Sequence, residues 1–437
     1  MITYEPVIGF EIHVELKTLS KMFCGCPADH FGKPPNSQTC PVCLGLPGAL
    51  PVPNAKAIDW CLKLGLALGC QVNLHSKFDR KNYFYPDLPK GYQISQYDQP
   101  FCHSGHLALL SGKNIRITRV HMEEDTAKMQ HTEINGEKLS LIDFNRSGVP
   151  LVEVVTEPDF SSSDEAVEFL KEIQVIVRDL DISTADMEKG SMRLEANISM
   201  RPQGQTKLPE YKVEIKNVNS FRFIKKSMDF EQSRQTQLLN SGVSPVQETR
   251  GFNESKGETV SHRRKEQAHD YRYFPEPDIP PFVFSPHYIE SIRRTLPKLS
   301  SVKRQELSDI YGLSTANAYI ICSDNKMYTY FIRIASIIPD KTKYISDYII
   351  NKRYGAKLPE TPEKLLELIN DSQNSFQIDP QILSEKVSAI LSQYPQAVSD
   401  YRSGKIQAGS YLIGQVKKSL GNVETSQISR IINELYG

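Results

Sequence analysis

Carboxylates, imidazoles and thiols at regular spacing carry the chemistry legible in this chain. In Phe10-Glu11-Ile12-His13-Val14-Glu15-Leu16, apolar and polar residues alternate strictly. A strand turns successive side chains to opposite faces. Phe10, Ile12, Val14 and Leu16 are therefore expected on a core, with Glu11, His13 and Glu15 on the other face. Ser191 to Met200 repeats the pattern, placing Arg193, Glu195, Asn197 and Ser199 together. A third run, Ile115 to Asp125, ends in His121-Met122-Glu123-Glu124-Asp125. Adjacent acidic residues at a strand end repel one another unless a cation joins them. Carboxylate mixed with imidazole suits Mg²⁺ bridging to phosphate, with water completing the shell. The spacing alone leaves two readings open, a solvated polar face of an antiparallel sheet or a divalent-cation site.

The thiols form a second constellation. Cys24-Gly25-Cys26 and Cys40-Pro41-Val42-Cys43 give C-x-C followed by C-x₂-C across a loop rich in Pro, Gly and Asn. Two close pairs of thiolates suit tetrahedral Zn²⁺ in a closed structural site. The alternative is four free structural thiols. Cys61, Cys70, Cys102 and Cys322 are isolated and are expected to pack as small hydrophobes. No G-x-x-x-x-G-K-[ST] or G-x-G-x-x-G string occurs, so a nucleotide would have to bind through metal and side chains on a sheet. No signature of a hydrolytic nucleophile stands out. A zinc hydrolase is disfavoured, because four cysteines leave the ion no open position for water.

These groups need elements to hold them. Residues 1 to about 285 alternate short strand-like runs with turn clusters, and later residues follow a helical period. Tyr271 to Pro281 is rich in proline and aromatics, cannot be a helix interior, and is expected to end the first domain. Thr361 reads as an N-cap with Pro362 at the first helical position. Leu383, Val387, Ile390, Leu391 and Tyr394 share one helical face, as do Ile428, Ile431, Ile432 and Leu435. Gly404 to Gly421 reads as a helix between them. The polar stretch Asn370 to Ile378 reads as a linker. The expected division is 1–285, 286–370 and 371–437.

The chain has 437 residues, with 52 Lys plus Arg against 52 Asp plus Glu, so net charge announces no nucleic-acid partner. No apolar window is long enough to span a membrane. The first residues lack the basic stretch and apolar core of a signal peptide. Eight cysteines in a chain of this kind do not read as a disulfide framework. A cytoplasmic setting is expected.

Five long strings carry a family resemblance. They are Gly9 to Leu16, Lys77 to Asp87 with Tyr92 to Gln96, His121 to Asp125, Asp143 to Leu151, and Asp270 to Asp278. Together they resemble the B-subunit (GatB) family of the aspartyl/glutamyl-tRNA amidotransferases, over essentially the whole chain and most strongly over residues 4 to 281. The resemblance implies an α+β fold: a glutamine-synthetase-like cradle with a mostly antiparallel sheet, then a helical region and a small helical-bundle tail, YqeY-like and tRNA-binding. It implies ATP, Mg²⁺ and structural Zn²⁺. It further implies phosphorylation of the side-chain carboxylate of Glu-tRNA(Gln) or Asp-tRNA(Asn), followed by amidation with ammonia. The ammonia would come from a partner amidase (glutaminase), the family's A subunit, and a small C subunit would complete a heterotrimer. Glu11, His13 and Glu124 match family metal ligands, and Glu123 is adjacent. Lys81 and Lys90 match residues of the family's ammonia channel. Arg80, Asn145, Arg146, Arg193, Asn197, Lys216 and Asn217 are candidates for phosphate or acceptor-end contacts. Glu123 and Glu195 are further Mg²⁺ candidates, Glu195 standing where the family usually has aspartate, and Leu194 stands where it has cysteine. The stretch between Leu368 and Leu383 is shorter than usual. The rival reading is a non-catalytic tRNA-binding or assembly component of the same complex.

Overall fold

The computed structural model describes residues 2–264, 271–353, 359, 361, 363–367, 380–420 and 425–436. The stretch expected to be a linker, Asn370 to Ile378, lies outside these, as does Pro362. Two compact units are present, Met1–Lys303 and Arg304–Gly437.

The first unit is mixed α+β. Its strands are β1 Tyr4–Glu15, β2 Gln71–Val72, β3 His75–Ser76, β4 Asp79–Asn82, β5 Tyr92–Ser95, β6 Cys102–Ala108, β7 Asn114–Glu124, β8 Lys128–Ile134, β9 Glu137–Asp143, β10 Pro150–Thr156, β11 Met192–Pro202, β12 Val213–Val218, β13 Glu248–Asn253, β14 Glu258–Arg264, β15 Phe274–Pro275 and β16 Phe282–Val283. Nine of them form one sheet in the order β14-β13-β12-β11-β1-β10-β7-β6-β2. Every pairing in it is antiparallel except β12 with β13. β1 thus lies inside the sheet, flanked by β11 and β10.

The alternation of β1 is realised as read. Ile8, Phe10, Ile12 and Val14 are fully buried, while Glu11, His13 and Glu15 are only half-buried. The apolar face is covered by three helices, α1 Ala55–Ala67, α2 Ser163–Asp179 and α3 Phe221–Asn240. Their starts follow from their sequences. Asn54, Ser162 and Ser220 each sit in extended backbone and accept a hydrogen bond from an amide of the first turn. Asp164 and Glu165 add negative charge to the first turn of α2, where the helix dipole favours it. The Phe10, Phe160 and Phe169 rings stack edge to face between sheet and α2, with centroids 5.4 and 5.1 Å apart. The core does not end where the strand pattern ends. A fourth helix, α4 Pro286–Arg293, buries Ile289 and Ile292 in the same core, beyond the boundary at 285 read from the sequence.

The second unit is helical. Helices α5 Ser300–Asp309, whose first four residues belong to the first unit, α6 Thr315–Cys322, α7 Asn325–Ala335 and α8 Thr342–Arg353 contribute to a core around Leu307, Ile321, Phe331, Ile334 and Ile345. Four more, α9 Pro380–Leu391, α10 Pro395–Arg402, α11 Ile406–Leu420 and α12 Thr425–Tyr436, share another core containing Leu383, Val387, Leu412, Val416 and Ile428. Leu435, read as a member of that apolar face, is 37% exposed. No described helix is long and apolar enough to cross a membrane.

Candidate active site on the polar face of the sheet

Cross-strand pairing assembles the polar face row by row. Glu11 pairs with Glu195 of β11, and His13 with Arg193. On the other side His13 pairs with Glu153 of β10, which pairs in turn with His121 of β7. One row of the sheet therefore reads Arg193, His13, Glu153, His121. The neighbouring row brings Glu123 alongside. His13 Nε2 lies 3.6 Å from both Glu123 Oε1 and Glu153 Oε2, and His121 Nε2 lies 3.3 Å from Glu153 Oε2. One ligand atom each from His13, Glu123 and Glu153 falls within 4.8 Å of the others. Glu123 Oε2 and His121 Nδ1 are buried without a hydrogen-bond partner. A buried carboxylate oxygen left so is costly and calls for an occupant.

A second group lies beside it. Glu11, Glu195 and Glu214 of β12 also bring carboxylate oxygens within 4.8 Å of one another. Asn197 Nδ2 donates to Glu11 Oε1 at 3.1 Å, and its own Oδ1 is buried and unpartnered. Lys216 Nζ reaches Glu195 Oε2 at 2.8 Å and Glu214 Oε1 at 3.5 Å. A cleft of about 330 Å³ opens next to Glu11 and Asn197, walled by Val7, Pro158, Leu208 and Tyr211. That is large enough for a small organic ligand.

The two groups differ in charge balance. Burial would raise the Glu153 carboxyl, but His121, His13 and Lys81 outweigh it and hold this group far below the usual range. Glu11 goes the other way. Burial, then Glu153, Glu195 and Glu214, push its carboxyl up, and His13 only partly opposes them. Burial works against the charged form of Lys216, yet Glu195 and Glu214 keep its ammonium well above its ordinary value. Glu11 thus sits among carboxylates that remain short of positive charge, the condition a divalent cation relieves.

Glu124 does not join Glu11 and His13, contrary to the expectation from sequence. Consecutive strand residues face opposite ways, so Glu123 takes the polar face and Glu124 the other. There Glu124 Oε1 accepts from Lys90 Nζ and from the amide of Ile94, the latter at 3.0 Å. Lys90 and Glu124 border a small cavity of about 80 Å³ together with Cys43 and Gly148. Lys81 stays near the polar face. Burial disfavours its charge, but Glu123 above all, with Tyr273 and Glu153, raises the ammonium well beyond its usual value.

Several candidates for phosphate contact are committed elsewhere. The guanidinium of Arg80 grips Glu276 through two bonds of 2.7 and 2.8 Å and lies over the Tyr92 ring. Arg146 donates to the carbonyls of Thr126 and Ala127 at 2.9 Å. Asn145 is fully buried, bridging the carbonyl of Pro34 and the amide of Gln38. Arg193 pairs with Asp125 at 2.7 Å. Asn217 is exposed at φ 59°, a left-handed position that asparagine tolerates. Of these candidates, Arg193, Asn197 and Lys216 border the carboxylate groups. Glu153 and Glu214 are not among the site residues expected from the sequence. The signal for Glu153 was available: it is the one charge in Pro150-Leu151-Val152-Glu153-Val154-Val155, an otherwise apolar run.

The four cysteines converge. Sγ atoms of Cys24, Cys26, Cys40 and Cys43 all lie within 4.8 Å of one another, and those of Cys40 and Cys43 are 3.9 Å apart. A tetrahedron with Zn–S of about 2.3 Å has edges of about 3.8 Å. Hydrogen bonding, from Cys24 foremost, lowers the Cys43 thiol to about 4. The donor set and spacing fit a closed zinc centre.

Fold and face together define an α+β protein whose central sheet gathers carboxylates and imidazoles on its polar face. The GatB/GatE catalytic domain family matches residues 6–290, and the GatB domain family matches residues 341–435. Proteins described as the B subunit of aspartyl/glutamyl-tRNA(Asn/Gln) amidotransferase are similar along nearly their full length. That of Caldanaerobacter subterraneus subsp. tengcongensis is 41% identical, covering 99% of both chains. Those of Thermomicrobium roseum and Thermotoga maritima are 41% and 40% identical, each covering 99% of this chain and at least 98% of their own. The chain belongs to the B-subunit family of the aspartyl/glutamyl-tRNA(Asn/Gln) amidotransferases.

Proposed function

We propose that this chain uses ATP to activate the side-chain carboxylate of Glu-tRNA(Gln), Asp-tRNA(Asn) or both, and passes the activated acyl group to ammonia. Family membership makes the chain one component of a tRNA-dependent amidotransferase, a ligase acting on carbon–nitrogen bonds. A carboxylate oxygen of the aminoacyl group attacks the γ-phosphorus and ADP leaves. Ammonia then attacks the acyl carbon and phosphate leaves, giving Gln-tRNA(Gln) or Asn-tRNA(Asn). Bound Mg²⁺ would neutralise the transferring phosphate.

The observation that carries this reading is the pair of ligand groups side by side on one sheet face. His13, Glu123 and Glu153 offer one cation position, and Glu11, Glu195 and Glu214 a second. Glu195, longer by a methylene than the family's usual aspartate, still reaches the second group. Asn197 orients Glu11, and the cleft beside them suits the nucleoside end of ATP. Arg193 holds Asp125 at the end of β7. Lys81 and Lys90 are assigned to the ammonia path, Glu124 acting there as the partner of Lys90. Cys24, Cys26, Cys40 and Cys43 hold structural Zn²⁺.

In this reading the sheet unit is the glutamine-synthetase-like cradle. Residues 1–303 carry the chemistry, in place of the expected boundary at 285, the following residues to 370 form a helical connection, and 371–437 form a small bundle that binds tRNA. The ammonia comes from a separate amidase, and a small third protein completes a cytoplasmic heterotrimer. The test is an assay of the purified complex with charged glutamyl-tRNA and aspartyl-tRNA, omitting ATP, Mg²⁺ or glutamine in turn. Amidation should need all three. Amidation of either tRNA without ATP would overturn the reading.

A further inference from the structure

Lys21 is among the most deeply buried side chains of the molecule, only 1% exposed. A buried ammonium is tolerated only when hydrogen-bonded and opposed by negative charge. Its Nζ donates to the carbonyl of Gln38 at 2.8 Å and to that of Phe144 at 3.3 Å. Among the described residues no carboxylate comes within ion-pair range of it. The remaining partner is Cys43 Sγ, at 3.6 Å. A thiol does not balance an ammonium, whereas the thiolate of a metal-bound cysteine does. Four thiolates on Zn²⁺ leave two excess negative charges, of which Lys21 offsets one.

The other two bonds of Lys21 point to different parts of the chain. Gln38 belongs to the cysteine loop, and Phe144 opens the connection from β9 to β10. That connection is fastened on both sides. Ser147 Oγ donates to the carbonyl of Cys43 at 3.3 Å, and the amide of Met22 donates to the carbonyl of Gly148 at 2.7 Å. The amide of Gly148 in turn donates to the carbonyl of Asp125 at 2.9 Å, where β7 ends. Gly148 has φ 83°, and a Cβ there would meet Cys43 Cβ at 3.5 Å, Lys21 Cδ at 3.6 Å and Glu124 Oε2 at 3.8 Å. Cys43, Lys21 and the strand-end carboxylate of Glu124 thus surround one glycine.

We propose that Lys21 is a positioning residue that joins the zinc-bearing cysteine loop to the 144–148 connection, so that zinc retention and the geometry of the β7 end form one coupled unit. The inference rests on the zinc reading of the four cysteines. Neither ATP nor tRNA enters its test, so it fails or stands apart from the amidation reading.

The test uses the assembled complex carrying Lys21→Met, which keeps the length of the side chain and removes its charge and donors. Zinc release to the chromophoric chelator 4-(2-pyridylazo)resorcinol should become about 10-fold faster or more, the usual effect of losing an outer partner of a metal ligand. Hydrogen exchange at the Gly148 amide should rise with it. In the cobalt-substituted protein the thiolate-to-metal charge-transfer band should shift, which loss of packing alone would not cause. Unchanged release and an unchanged band overturn the proposal. If Lys21→Met does not fold, the parent protein still decides. Labelling with acetic anhydride should reach Lys21 only after zinc is stripped, and equal protection with and without zinc overturns the proposal. Purified protein without zinc would instead defeat the zinc reading itself.

Discussion

At the scale of single residues, neighbours along one strand have different work. Glu123 faces His13 and Glu153, whereas Glu124 faces Lys90. Glu123→Gln should keep the fold and slow tRNA-dependent ADP release by roughly 10²-fold, the size of one main electrostatic contribution. Glu124→Gln should instead leave Lys90 buried without its counter-charge and cost about 3 kcal/mol of stability. Equal ADP release by Glu123→Gln and the parent would remove the first group from the chemistry. Glu11 makes a pH-dependent prediction. Its folded-state pKa lies above the unfolded one, since burial disfavours its charge, Glu153, Glu195 and Glu214 surround it, and only His13 offsets them. Its contribution to stability is therefore complete below the ordinary glutamate pKa of about 4.3 and is lost as pH rises through the folded value. Mg²⁺ binds the deprotonated carboxylates, so the rise in Tm on adding Mg²⁺ should be larger at about pH 7.5 than at about pH 5. Thermal scans at both values check this, and an equal rise would argue against a cation at Glu11. For the thiols, Cys40→Ser should lower zinc content and Tm together, as metal analysis of chelator-free preparations would reveal.

At the scale of elements, the short strands around the site are held by side chains as much as by ladders. β4 pairs with β15 over two residues only, Arg80 with Phe274 and Asp79 with Pro275. What fastens them is the bidentate bond from Arg80 to Glu276, a carboxylate with no side-chain exposure. Arg80→Met should therefore loosen the Tyr271 to Asp278 segment and destabilise the protein by about 3 kcal/mol, since a buried carboxylate loses its partner. Binding of ATP to the folded variant should change little. Calorimetry with ATP separates the outcomes: a large loss of affinity with an unchanged Tm would return Arg80 to the phosphate site. The same segment supplies Tyr271 and Tyr273, whose rings approach Lys81 and Tyr97. Loosening it should thus disturb the surroundings of Lys81 as well.

At the scale of the whole molecule, the first compact unit runs to Lys303. Ile289 and Ile292 of α4 are buried in its core. Ser300 Oγ donates to Asp179 Oδ2 at 2.7 Å, and Lys303 Nζ reaches the same oxygen at 3.0 Å. A fragment of residues 1–303 should unfold in one cooperative transition. A fragment ending at residue 285 should be less stable by on the order of 5 kcal/mol, having lost two buried isoleucines and a buried ion pair. Urea melts of the two fragments test this, and identical midpoints would mean that α4 only decorates the surface.

Local pattern determined much of this protein by itself. The alternation in Phe10 to Leu16 and in Met192 to Ser199 specified which side chains leave the core, because strand geometry has a period of two. Helix starts at Asn54, Ser162 and Ser220 follow from capping chemistry that needs no distant partner. The cysteine pairs announced their own convergence by being close in sequence. Tertiary structure alone decided which polar residues meet. Glu153 reaches His13 and His121 only through the order β1-β10-β7, and Glu214 reaches Glu11 only through β11 and β12. Glu124 was separable from Glu123 in principle by the same period of two, but its partner Lys90 lies 34 residues away. The fate of Arg80 was equally hidden, since Glu276 lies 196 residues further along the chain. A charge declares its need for a partner locally, whereas the register and order of strands that supply the partner are set by packing across the whole sheet.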